Sequence, residues 1–157
     1  MLSVEQFLGT TTNDSNSTKV ILIPENPEGY TAQIATDGIG LANFKFKKGE
    51  RAGQPGYRMT VKWEIDDPNR EIEQKIGRRP IVTQSIMLDI TSEGALDMGE
   101  GKNVQLGRLR EAVGQNASGK PWAPAMLIGQ MARINVKHRI NDETGDLVMD
   151  VDKVVAL

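Results

Sequence analysis

YRMTVKWEI, residues 57–65, alternates without interruption. Tyr57, Met59, Val61, Trp63 and Ile65 fall on one side, and Arg58, Thr60, Lys62 and Glu64 on the other. A period of two predicts a strand with one face in a core and one face in water. Upstream, EGYTAQI (28–34) begins a strand of the same kind, with Tyr30, Ala32 and Ile34 on one side. Gly38 and Gly40 interrupt it, which predicts a bulge or sharp bend, and NFKFKK (43–48) resumes extended structure. The glycines and Pro55 of GERAGQPG (49–56) mark a loop. Downstream, DDPNREIEQKIGRRP (66–80) is a polar excursion with room for a turn or two of helix. IVTQSIMLDI (81–90) is the next strand, with Val82, Ile86, Leu88 and Ile90 inward.

NVQLGRLREAVG (103–114) reads as a helix. Asn103 suits the N-cap, Leu106, Leu109 and Val113 share a face, and Gly114 suits the position just past the end. Pro124 opens a short helical turn at PAMLIG (124–129). MARINVKHRI (131–140) then alternates an apolar set with Arg133, Asn135, Lys137 and Arg139. A turn at NDETGD (141–146) leads to LVMDVDKVV (147–155). The order is strand, strand, strand, helix, strand, strand, with a long first strand bent by glycines. It predicts a mainly β protein: an OB-fold-like five-stranded barrel with a helix between strands 3 and 4. Residues 1–18 are polar and read as a flexible tail, with VEQFL (4–8) docked on the body; residues 19–157 form a single domain.

Composition bounds the chemistry. The 157 residues suffice for one domain with a core, and aromatics make up only 4%. There is no cysteine, so disulfides, Cys-based metal sites and thiol catalysis are excluded. No secretory leader is apparent, and no apolar stretch approaches the ~20 residues of a membrane span, which predicts a soluble, intracellular protein with no membrane partner. The net charge of −2 conceals a polarised chain. Residues 43–62 hold six basic side chains against one acid, and residues 102–139 hold seven against one, so these blocks carry +11 and the remainder −13. Either they pair internally or they meet a polyanion.

Most candidate sites have plainer explanations. GQNASGK (114–120) matches the start of a phosphate-binding P-loop, but Pro121 stands where a Mg²⁺-binding hydroxyl belongs, and the stretch follows a helix rather than a strand. Asp150 and Asp152 share a strand face, yet a hairpin accounts for them without a metal. With Ile140 opposite Leu147, Val136 meets Val151, His138 meets Met149, Lys137 meets Asp150 and Asn135 meets Asp152. In that register Arg139 faces Val148, so neither Arg133 nor Arg139 has an acid opposite. His138, the sole histidine, falls on the inward face and reads as a core or rim residue. No nucleophile–base–acid set forms around it, so neither an enzyme nor a cofactor is expected. Trp122, between Pro121 and Pro124, reads as a packing plug.

One constellation stands out, NFKFKKGERAGQPGYRMTVKW (43–63). Phe44 and Phe46 alternate with Lys45 and Lys47; Lys48 and Arg51 follow in the loop, and Arg58 and Lys62 lie on the polar face of the next strand. Single-strand binders combine a positive groove with aromatic platforms on which bases stack. Trp63 and Tyr57 belong with the core set, whereas Phe44 and Phe46 suit core and surface equally.

The chain resembles a family of small phage and prophage proteins with an OB-like core, single-stranded-DNA-binding proteins of phage replication and recombination. The resemblance rests on PEGYTAQI (27–34), KKGERAG (47–53), GKNVQLGRLREAVG (101–114), KPW (120–122), LIGQ (127–130) and ARINVKHR (132–139). It implies a non-enzymatic protein that coats single-stranded DNA in the bacterial cytoplasm beside phage replication or recombination proteins. Phosphates would lie along Lys45, Lys47, Lys48, Arg51, Arg58, Lys62, Arg133, Lys137 and Arg139, and Phe44 or Phe46 would stack on bases. Few aromatics imply modest affinity per site, or homo-oligomers that bind cooperatively. The alternative is a protein–protein adaptor or structural module whose basic face meets an acidic partner.

Overall fold

The computed structural model describes residues 1–157. The protein is mainly β. Strands β1 (Tyr30–Lys45), β2 (Pro55–Ile65), β3 (Ile81–Leu88), β4 (Met131–Ile140) and β5 (Leu147–Val155) form one antiparallel sheet in the order β3-β2-β1-β4-β5. Helix α1 (Val4–Leu8) precedes the sheet, α2 (Glu71–Ile76) joins β2 to β3, and α3 (Val104–Ala112) lies between β3 and β4, followed by a 3-10 turn at Pro124–Leu127.

The expected barrel is corrected to an open sheet. Its edges, β3 and β5, approach each other, but no ladder joins them. Helix α3 packs against both strands and buries Leu106 and Leu109 where closure would run. Side-chain packing therefore takes the place of a backbone ladder at this seam, and a cleft of about 470 Å³ remains between α3 and β5.

The alternation does what its period requires from Met59 to Ile65, while Tyr57, expected with the core set, is half-buried and lies outside it. Met59, Val61, Trp63 and Ile65 are buried, and the same core receives Val82 and Ile86 from β3, Ala32 and Ile34 from β1, and Ile134 and Val136 from β4. Trp63 is fully enclosed, and its indole N–H donates to the side-chain oxygen of buried Gln84, 2.9 Å away. Ile23 is also enclosed; its carbonyl oxygen accepts from His138 Nε2 at 2.6 Å, while the Tyr30 hydroxyl donates to the Pro24 oxygen at 2.6 Å. The segment before β1 is thus fastened to the sheet, and His138 is a half-buried rim residue as expected. Burial raises the Tyr30 pKa above its ordinary value.

Helix α2 takes its N-terminal N–H bonds from Asp67, whose carboxylate accepts from Ile72 and Glu73. Helix α1 opens with a Ser3–Gln6 capping box, but Val4, Phe7 and Leu8 are all exposed, so the expected docking of residues 4–8 on the body is not found. Helix α3 ends as predicted. Gly114 sits at φ 73, its N–H donates to the Glu111 oxygen and that of Gln115 to the Arg110 oxygen, which is the paired pattern of a Schellman end. Its start differs. Asn103 precedes the helix but makes no side-chain cap bond.

The glycine-marked bend in β1 sets which side chains the β1–β2 hairpin turns outward. Between Ile34↔Trp63 and Ile39↔Val61, β1 advances five residues while β2 advances two. Gly38 lies inside this bulge, where a Cβ would come within 2.8 Å of the Ala35 carbonyl oxygen and 3.0 Å of that of Lys62. Only glycine permits so close an approach. Three extra residues also invert the parity of the strand. Even-numbered residues face the core before the bulge, at Ala32 and Ile34; after it the odd-numbered set pairs with the face of Met59 and Val61, where Ile39 packs on the core and Leu41, Asn43 and Lys45 run out beyond it, exposed.

Candidate nucleic-acid interface

The parity inversion assigns Phe44 and Phe46 to the outer face of the sheet, where both are half-buried. Directly paired residues of an antiparallel ladder share a face. Phe44 pairs with Gly56 and Ala42 with Arg58, so all four lie on the side away from Met59 and Val61. On β3 the same face carries Met87, Ser85 and Thr83, opposite Arg58, Thr60 and Lys62. The two phenylalanines meet edge to face, with ring centroids 5.0 Å apart and planes at 68°. Gly56 makes room for this pair: a Cβ on it would lie 2.4 Å from the Phe44 ring. Arg58 stands over Phe44 at 4.9 Å from the ring centre, and Arg51 over Phe46 at 4.3 Å. The loop between β1 and β2 is held by backbone bonds from Phe46 to Gln54 and from Gly53 to Phe46, which brings Arg51 back onto the ring.

The nine expected cations divide by environment. Lys45, Lys48 and Lys137 are exposed and have no carboxylate at ion-pair distance. Arg51 and Arg58 are held by rings rather than acids. Lys47 pairs with Glu143 at 2.7 Å and Lys62 with Asp37 at 3.7 Å. Arg139 pairs with Asp150, which corrects its expected freedom from acids. The backbone register is as predicted there, with Lys137 opposite Asp150 and Arg139 opposite Val148, but the longer guanidinium arm reaches diagonally. The predicted Asn135–Asp152 pair is also corrected: a register shift places Lys153 opposite Asn135. Arg133 donates to the Glu28 carbonyl oxygen at 3.1 Å.

These residues do not form one patch. Phe44, Lys45, Phe46, Lys47, Lys48, Arg51 and Arg58 gather around the β1–β2 loop, with Lys62 further along the same face of β2. Arg139 lies beside the β4–β5 turn, whose Glu143 touches Lys47. Arg133 is six residues back along β4, about 20 Å of extended strand away, so it stands apart from the loop cluster.

Electrostatics at the loop are set by one contact. Lys47 donates to the Glu143 carboxylate and holds its pKa below the usual carboxylate range. The pair is exposed on both sides, and such pairs are weak and screened by salt. Of the thirteen cations in the two basic blocks, only Lys47, Lys62 and Arg139 have an acid partner, so internal pairing leaves most of the polarisation uncompensated.

Trp122 is a packing plug, as its flanking prolines suggested: it is half-buried, and its indole N–H donates to Gln115 Oε1 at 2.9 Å. One buried polar residue, Gln84, was not expected from the sequence; it occupies an inward position of β3, while Asn103, expected only as a helix N-cap, is buried between the β3–α3 loop and the helix. A polar residue at an inward position of an otherwise alternating strand was the available signal for Gln84.

There is no group of three or more His, Cys, Asp or Glu side chains placed to hold a metal ion, and no helix is long and apolar enough to cross a membrane. No protein-family model matches the chain, and no curated protein is similar to it at a significant level.

Proposed function

We propose that the protein binds single-stranded DNA without sequence preference, through the outer face of β1 and β2 and the loop between them. The observation that carries this reading is the half-buried Phe44–Phe46 pair on the outer face, each ring covered by an arginine, with Lys45 and Lys48 nearby in sequence and free of any acid partner. Magnitudes favour exchange of the arginines for bases. An exposed cation–π contact is worth ~0.5–1 kcal/mol and a base stacked on an aromatic ring ~1–3 kcal/mol. Arg51 and Arg58 would swing from ring to phosphate as a base replaces each. Strand order and the helix between β3 and β4 support an OB-like reading despite the open seam, and in that architecture the face of strands 2 and 3 and the loop between strands 1 and 2 are the usual oligonucleotide surface, which overlaps the proposed one at β2 and the loop. On this reading the chain acts without catalysis, in phage DNA replication or recombination within the bacterial cytoplasm.

Phe44→Ala and Phe46→Ala test the reading. Each ring that stacks on a base should cost ~1–3 kcal/mol of single-strand affinity on removal, with little change in the melting temperature. Unchanged affinity in both variants would contradict it. A second reading has one observation in its favour: Lys47 already binds a carboxylate, that of Glu143. An acidic protein partner would use the same loop, and in that case neither ring would matter to DNA.

A further inference from the structure

Arg110 is 8% exposed and has no carboxylate at ion-pair distance. A buried charge without a counter-charge is costly. Two contacts offset part of that cost. The guanidinium stacks on Trp122 at 4.2 Å from the ring centre, and its Nε donates to the Gln115 carbonyl oxygen at 3.1 Å. The two terminal nitrogens donate to nothing in the chain. They are not sealed off, for no fully enclosed side-chain nitrogen lacks a partner, and Arg110 lines a cavity of about 540 Å³.

The wall opposite is the loop of residues 116–120, the stretch that imitates a P-loop in sequence. It contributes the Ser118 hydroxyl and Lys120. The backbone N–H groups of residues 116–120 also have no acceptor in the chain. Lys102 borders the adjoining recess, and the one acid there, Asp97, accepts from the Gly99 N–H and stays beyond ion-pair distance of Arg110. The cavity's remaining side is apolar, formed by Leu96 and Met98. None of these residues belongs to the β1–β2 loop surface.

We propose that this cavity binds a phosphate group, carried by a phosphomonoester or free as inorganic phosphate, with Arg110 as the bidentate donor and Lys120 and the 116–120 amides completing the shell. A planar fork of donors matches a phosphate, and unpaired loop amides add to it. This is not nucleotide hydrolysis chemistry: Pro121 stands where the Mg²⁺-binding hydroxyl belongs, and the buried cation, Arg110, comes from helix α3 beside the loop's own Lys120.

The test titrates the full chain with inorganic phosphate, a nucleoside monophosphate and the matching nucleoside, at constant ionic strength and without DNA. Tryptophan fluorescence and melting temperature are read together; Trp63 is enclosed and bonded to Gln84, so a change in emission reports Trp122. Phosphate should give a saturable emission change and a rise in melting temperature, and the nucleoside neither. Tighter binding of the monophosphate than of phosphate would identify the ester as the ligand class; the reverse would identify the free ion. R110Q should weaken binding by about tenfold or more, from the loss of charge-assisted bonds. K120Q, on an exposed loop outside the core, should weaken it several-fold and guards against a folding defect in R110Q. No saturable response, an equal response to acetate or to the nucleoside, or full affinity in a folded R110Q would overturn the proposal. Because no DNA is present, that failure would leave the strand-binding reading untouched.

Discussion

Phe44 owes its place to two glycines that never touch a ligand. Gly38 allows the bulge that turns the even-numbered residues of β1 outward, and Gly56 leaves the space into which the Phe44 ring settles. Gly56→Ala would put a methyl 2.4 Å from that ring and force it aside. We expect G56A to lower single-strand affinity about as much as removal of the ring does, ~1 kcal/mol or more by fluorescence anisotropy, though position 56 contributes no side chain of its own. Glu143 gives a second residue-scale prediction. Its pKa is depressed in the folded chain by Lys47, so the pair's contribution is fully present above the ordinary carboxylate range. It is lost as the pH falls through the depressed value. NMR titration should therefore place Glu143 below an ordinary glutamate, and Lys47→Gln should return it to the ordinary range. Glu143→Gln should strengthen single-strand binding at neutral pH by releasing Lys47 to phosphate. Part of this was legible in the sequence, for the alternation of Phe44 and Phe46 with Lys45 and Lys47 announces rings on one face of an extended segment and cations on the other, all beside a basic loop. Which way the rings point was not. Facing depends on the number of residues the bulge absorbs, and two glycines in a row of small residues mark the bulge without fixing its length.

Helix α3 enters the fold through a polar staple rather than a cap. The Asn103 side chain accepts from the Asp89 N–H at 2.8 Å and donates to the Asp89 and Asp97 oxygens at 2.8 and 3.0 Å, while its own N–H donates to the Asp89 carboxylate at 2.9 Å. Its backbone is left-handed, at φ 50, a conformation that asparagine tolerates better than most residues. Asn103→Ala would leave partly buried groups of the 89–97 segment unpaired and add backbone strain. The expected loss is ~2–4 kcal/mol, read as a lower urea midpoint. At the element scale, residue type was a good guide to position and a poor guide to partner. Asparagine before an apolar helical repeat predicts a helix start, and the helix does start there. Its bonds go instead to a loop fourteen residues upstream, which no local pattern encodes. The same limit separates Arg139 from its predicted solitude. Register gave the residue opposite, while the reach of the side chain decided the partner.

Across the whole molecule, charge and topology act together. The strand succession was legible because each strand carries its own period and turn residues close the β1–β2 and β4–β5 connections, whereas the seam between β3 and β5 depends on how α3 packs, a tertiary matter. The charge blocks could be counted in the sequence but not their distribution in space, and Arg133 proves remote from the loop that gathers most of the others. Binding by the loop cluster should therefore engage Lys45, Lys48, Arg51 and Arg58 first. Four phosphates neutralised on a single strand give a slope of about −3 in log K against log salt, steeper if Lys47 and Lys62 leave their acids. The most direct measurement is fluorescence anisotropy of a labelled single strand of about 30 nucleotides, long enough for two sites, titrated with the protein at several salt concentrations beside a duplex of equal length. Tight binding at low salt, a slope near −3 or steeper and clear preference for the single strand are the predicted results. Absence of binding at low salt, or equal affinity for the duplex, would contradict a stacking surface of phenylalanines and point to an acidic protein as the occupant of the β1–β2 loop.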